Sequence, residues 1–184
     1  MYLISLYFDE TSDTKIRSYM KQIARHTGNT AMINGKVPPH ITVAAFNVSS
    51  EQLAVELFER ISSNIYRNDL QWVSVGTFLP RVIYIAPILN EYLQTISESI
   101  YKEIKHTEGV EPKGSYGPYE WFPHATLGKH LDKEQMRTAF KIMQDQFSPF
   151  ASQAVKCGLA RTNPYTDIEI CELKNILKKY KKTC

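Results

Sequence analysis

The sequence predicts an α+β fold: two duplicated lobes related by a pseudo-twofold axis, with mainly antiparallel sheets lining a central groove and helices on the outer faces. Three observations lead there. Segments of strand period and helix period alternate along the chain. The stretch PHITVAAFNVSSEQLAVELFERI lies over PHATLGKHLDKEQMRTAFKIM, each opening on Pro-His-x-Thr followed by an apolar residue, with Glu-Gln about ten residues on. In both copies a helix comes next, and then two strands. The repeats span about 39–87 and 123–173, and 184 residues suffice for a single domain, 1–184, that holds both as lobes.

Tyr2 to Phe8 are mostly apolar and β-prone, which makes a strand bounded by DETSD. Ile16, Tyr19, Met20 and Ile23 recur at helical spacing and Gly28 follows as a stop, predicting a helix over about 13–27. TAMINGKVPP reads as a loop, and His40 to Phe46 as a strand. Ser49 and Gln52 have capping-box spacing ahead of the stripe Leu53, Leu57, Phe58 and Ile61. Strands follow over about 70–78 and 81–87, then a helix over about 90–106. EGVEPKGSYGPYEWFP reads as a loop because glycine and proline crowd it. After the second Pro-His-x-Thr strand, Asp132 and Gln135 repeat the cap spacing before a helix marked by Met136, Phe140, Met143 and Phe147. Strands over about 152–161 and 167–173 flank the turn RTNPYT, and LKKYKKTC reads as a frayed basic terminus.

Composition narrows the function classes. The chain is 43% hydrophobic and 22% charged, as an ordinary globular protein is. Its net charge of +3 is too weak to demonstrate nucleic-acid binding, yet compatible with a phosphate-bearing substrate in a local positive cleft. No apolar run has bilayer-spanning length, and MYLISLYFDE lacks a basic n-region, so neither membrane nor signal peptide is expected. Three cysteines without CxxC spacing fit a reduced cytoplasm and no metal site.

The chemistry sits in the repeat. On a strand, side chains alternate faces, so His40 and Thr42 share one face while Ile41, Val43 and Ala45 share the other. His124 and Thr126 pair in the same way against Ala125 and Leu127. With the apolar faces under helices, a pseudo-twofold axis turns both polar pairs toward one groove. Histidine titrates near neutrality, so one imidazole can act as base and the other as acid. Threonine hydroxyls can donate to the non-bridging oxygens of a phosphoryl group as charge builds on them. Such a set can cleave a phosphodiester without a metal or other cofactor. A lone His-x-Thr is a weak signal; the duplicated context gives it weight.

HITV at 40–43, HATL at 124–127 and the duplicated element order resemble the two-histidine (2H) phosphoesterase superfamily, the 2′-5′ RNA ligase-like and cyclic phosphodiesterase group. The resemblance covers nearly the whole chain. It implies a bilobal fold and metal-independent hydrolysis or transesterification of 2′,3′-cyclic phosphates or 2′-5′ linkages in nucleotides or RNA ends. Position by position, it implies that His40 and His124 are catalytic and that Thr42 and Thr126 bind phosphate. It further implies that His40 protonates the leaving 3′ oxygen while His124 activates water. Many RNA ligase-like members carry an arginine five residues after the second motif's histidine; here that position is Lys129, which keeps the charge and loses the bidentate fork. Alternation turns Lys129 away from the groove unless the strand bulges or ends there.

Four aromatic positions are further candidates. Tyr84 opposes Ile83 and Ile85 in parity and can line the groove, and Tyr7 in the first strand has the same standing. Tyr116 and Tyr119, ahead of the second motif, can stack a nucleobase or pack their loop onto the body. Trp121 reads as packing, Arg161 as an exposed turn residue, and His26 and His106 as helix-end residues. His130 lies too far along its strand to join His124. Two other functions fit the motifs: a non-catalytic module that binds nucleotides or RNA ends, and a phosphodiesterase for a small non-RNA cyclic phosphate. A monomer is expected.

Overall fold

The computed structural model describes residues 1–117 and 119–175. LKKYKKTC lies outside the described residues. The elements, in chain order, are β1 (Tyr2–Phe8), α1 (Glu10–Thr27), α2 (Ala31–Asn34), β2 (Ile41–Val48), α3 (Glu51–Ser62), β3 (Asn68–Phe78) and β4 (Val82–Pro87). Then come α4 (Glu91–His106), β5 (Val110–Pro112), β6 (Ala125–Gly128), α5 (Lys133–Gln146), β7 (Phe150–Arg161) and β8 (Thr166–Glu172).

Local chemistry explains where elements start. Helix α1 begins three residues before the expected boundary because Asp9 caps it, accepting from the Ser12 amide at 3.0 Å. Gly28, at φ 71°, closes it in the left-handed region. Ser50 rather than Ser49 caps α3, through its Oγ and the Leu53 amide at 3.2 Å. The capping box at α5 forms as the spacing predicts: Asp132 and Gln135 exchange bonds of 2.9 and 3.0 Å. Two expected loops hold short elements. TAMINGKVPP contains α2, and β5 joins β2 from within the glycine- and proline-rich segment.

All eight strands belong to one open antiparallel sheet of order β5-β2-β1-β7-β3-β4-β6, with β8 also on β7. Exchanging β1 with β4, β2 with β6 and β3 with β7 maps the six strands from β2 to β6 in that order onto themselves in reverse. The duplication therefore runs β1-α1-β2-α3-β3 and β4-α4-β6-α5-β7, so each unit begins one strand before its histidine. Helices α3 and α4 cover the β2–β5 side, and α1 and α5 the β4–β6 side. Each half thus borrows a helix from the other. Ile4, Leu6, Ile41, Val43, Ile83, Ile85, Ala125 and Leu127 fill the interface between sheet and helices, each at most 1% exposed.

Strand β7 joins the halves and also separates them. Its residues Phe150–Ala154 pair with β3, whereas Lys156–Arg161 pair with β1 on one edge and with β8 on the other. The β7 edge that β3 leaves is taken by β8. Beyond Trp72, β3 has only β4 beside it among the described residues. The two halves part at this point, β1 and β8 continuing along β7 while β3 continues with β4.

Candidate active site

His40 and His124 each stand one residue before their strand, β2 and β6. Proline precedes both, which locks φ there and holds the residue before it extended. Each imidazole then turns back on its own chain: His40 Nδ1 lies 2.7 Å from the Pro38 carbonyl, and His124 Nδ1 lies 2.9 Å from that of Phe122. A carbonyl can only accept, so Nδ1 carries the hydrogen in both rings. Nε2 is left as acceptor when the ring is neutral and as donor when it is charged. His26 and His106 instead bond the carbonyl four residues back at the ends of α1 and α4, and they belong to those helices alone. His130 is exposed.

The polar parity continues across the sheet. Thr42 sits opposite Ser5, and Thr126 opposite Tyr84. Both threonines are half-buried, as are both histidines. Burial depresses both imidazole pKa values below the ordinary 6.5, opposed in each case by the carbonyl bond. His40 also feels three charges: His124 lowers it, Asp167 raises it, and Lys129 lowers it. The two histidines are therefore close enough to interact electrostatically. Strand β6 ends at Gly128, so alternation does not govern Lys129, and its ammonium acts on the far histidine across the groove.

The surroundings of the two rings differ. Around His124 stand Phe78, Tyr84 and Phe122, with ring centroids 4.8, 5.3 and 6.3 Å away. Phe78 and Phe122 are 42% and 47% exposed, so they form an open aromatic shelf. Around His40 stand Tyr165 and Tyr7, at 6.0 and 6.5 Å. Tyr116, ahead of the second motif, is half-buried; burial raises its pKa and the nearby Thr42 side chain opposes that. Trp121 packs, donating from Nε1 to the Thr42 carbonyl at 2.9 Å. Tyr119 is 94% exposed and is not brought to the others. Arg161 is held at the surface by Glu51 at 3.2 Å. Among the described residues, no cluster of three His, Cys, Asp or Glu side chains could hold a metal ion.

Sequence reasoning passed over Phe122, two residues before His124, and also Phe78, Tyr165 and Asp167, whose approach depends on pairings distant in sequence. It also passed over two strand glycines that carried a usable signal, since glycine inside a strand marks close approach. Gly158 pairs with Ser5 and Gly76 with Tyr84, equivalent positions under the pseudo-twofold exchange. A Cβ at Gly158 would lie 2.5 Å from the Tyr7 ring, and one at Gly76 would lie 2.6 Å from the Tyr84 ring. Gly158→Ala and Gly76→Ala should therefore each cost about 1–3 kcal/mol and push an aromatic ring off its histidine. Thermal unfolding reads this as a loss of roughly 2 °C or more. An unchanged melting temperature in both variants would show that the rings do not need the space.

The family model for the 2′-5′ RNA ligase superfamily matches residues 13–163. Among solved structures, Escherichia coli LigT in its apo form superposes with a TM-score of 0.62 at 12% identity, covering 95% of this chain and 97% of that one. LigT complexed with 3′-AMP gives 0.59 at 14% identity, over 94% and 97%. A protein of Thermus thermophilus gives 0.61 at 14% identity, over 95% and 98%. These likenesses show the fold. No curated protein sequence matches. The family match spans most of the chain, including both Pro-His-x-Thr motifs and the helices between and after them, and the chain belongs to the 2′-5′ RNA ligase superfamily.

Proposed function

We propose that this protein is a metal-independent phosphoesterase that opens 2′,3′-cyclic phosphates or cleaves 2′-5′ phosphodiesters in nucleotides or at RNA ends. The observation that carries the reading is the matched pair of imidazoles. Each is tied through Nδ1 to a carbonyl two residues back, and each keeps Nε2 for chemistry.

On a cyclic phosphate, His124 Nε2 takes a proton from water as the water oxygen bonds to phosphorus. The bond from phosphorus to the ribose 3′ oxygen breaks, and His40 gives its Nε2 proton to that oxygen, leaving a 2′-phosphate. Thr42 and Thr126 donate to the non-bridging oxygens, and Lys129 adds positive charge. With a 5′-hydroxyl in place of water as the attacking group, the same proton transfers would join two ends through a 2′-5′ linkage. One difference in surroundings supports the assignment of roles: burial lowers both imidazoles, but the Asp167 carboxylate partly offsets this at His40, and among the described residues no carboxylate does so at His124.

Phe78 and Phe122 offer exposed ring faces beside His124, which suits a nucleobase. LigT has been crystallised with 3′-AMP, and the likeness in fold supports a nucleotide at this site too. The described residues include no helix long and apolar enough to cross a membrane. The spacing of the cysteines supports our reading of a reduced, cytoplasmic protein.

A turnover screen against 2′,3′-cyclic nucleotides, cyclic-phosphate-ended RNA and 2′-5′ dinucleotides, run in chelator, tests this. We expect hydrolysis of at least one class at an undiminished rate. A rate abolished by chelator overturns the mechanism. Tight binding of a 2′-phosphorylated nucleotide with no turnover makes the protein a binding module, and turnover confined to small non-nucleotide cyclic phosphates moves the substrate class.

A further inference from the structure

A duplicated frame supplies two like histidines, but acid–base chemistry needs them unlike. Strand β8 is the element that breaks the symmetry. It occupies the β7 edge on the His40 side, and among the described residues the corresponding stretch of β3 carries no added strand. With the turn before it, β8 brings two groups that the His124 side lacks, Tyr165 and Asp167.

Tyr7 donates to Asp167 Oδ1 at 2.9 Å, Tyr165 reaches the same oxygen at 3.0 Å, and the two phenolic oxygens are 2.9 Å apart. Two phenolic protons serve three contacts, so the carboxylate is the terminal acceptor whichever way the phenols are arranged. Neither phenol has a proton left for a phosphate oxygen. Both rings flank His40. Burial raises both phenol pKa values, so they stay protonated across the working range.

We propose that Asp167 is a positioning residue: by gathering Tyr7 and Tyr165 on one carboxylate oxygen it builds the wall that orients His40, and its charge biases the pair's shared proton toward that histidine. This rests on the acid–base reading above. Around His40 the titratable and charged groups are Tyr7 from β1, Tyr165 from the β7–β8 turn, Asp167 from β8, and His124 and Lys129 from the two ends of β6. At His40 the influence of Asp167 outranks that of Lys129 but not that of His124 or of burial, so the carboxylate offsets part of a shift that remains downward.

The test is Asp167→Asn, which keeps an acceptor oxygen and removes the charge, with Tyr165→Phe as a second variant that keeps the charge and removes one donor. NMR titration of the imidazole protons follows His40 and His124 separately and needs no turnover. Asp167→Asn should lower the His40 midpoint by about half a pH unit or more and leave His124 nearly unmoved. Tyr165→Phe should move it less. On a turned-over substrate, Asp167→Asn should draw in the alkaline limb of the kcat profile by the same amount, lower kcat and leave KM close to wild type, and Asp167→Glu should restore the limb.

A His40 midpoint that does not move overturns the proposal, even if the protein is an active phosphoesterase. A moved midpoint with an unmoved alkaline limb overturns the catalytic part. If no substrate is ever turned over, the acid–base reading fails while the titration still decides whether Asp167 charges His40. Should Asp167→Asn not fold, a His40 ring equally ordered and equally titrating in Tyr165→Phe overturns the positioning claim.

Discussion

His124→Ala should cost about 10²–10⁴-fold in kcat on a cyclic-phosphate substrate, and His40→Ala should cost a similar factor. Both rings are half-buried, and neither belongs to the interface between sheet and helices, so the variants should melt close to wild type. The losses should also be far from additive, because water activation and leaving-group protonation belong to one transition state. The wild-type pH profile of kcat/KM should be bell-shaped. Its acid limb reports the base taking a proton, and its alkaline limb reports the acid losing one. Burial lowers both imidazole pKa values below 6.5, which carries both limbs toward lower pH, so the optimum should lie on the acid side of about 6.5. Full activity in both alanine variants, or an optimum above pH ~8, would sink the two-histidine mechanism.

Thr42→Val and Thr126→Val should each lower kcat by about a hundredfold, because each removes one donor from the oxygens on which charge accumulates. Valine keeps the β-branched shape the strand favours, so the loss isolates the hydroxyl. Thr→Ser at either site should recover most of the rate. Turnover within threefold of wild type in both valine variants would falsify the oxyanion role.

Much of the frame was legible before any coordinates. Caps, glycine stops and apolar periods are local, and they placed nearly every helix and strand to within a few residues. Errors fell where two local signals competed, as at Ser49 and Ser50, or where a segment took its structure from a partner, as β5 did from β2. Alternation on β2 and β6 put His40 with Thr42 and His124 with Thr126, because strand parity is a property of the chain alone.

What the chain alone could not contain is which strands become neighbours. The repeat was visible only from its histidine strand onward, since β1 and β4 share no motif, and the full unit emerges only in the strand order. The neighbours of each imidazole follow the same rule. Phe78 reaches His124, and Tyr165 and Asp167 reach the His40 side, through pairings that span tens of residues. The sequence by itself determined two equivalent histidine–threonine pairs on strands with one apolar face. Tertiary structure decided that they are inequivalent, because β8 fills one edge of the divided sheet and leaves the other to aromatic rings.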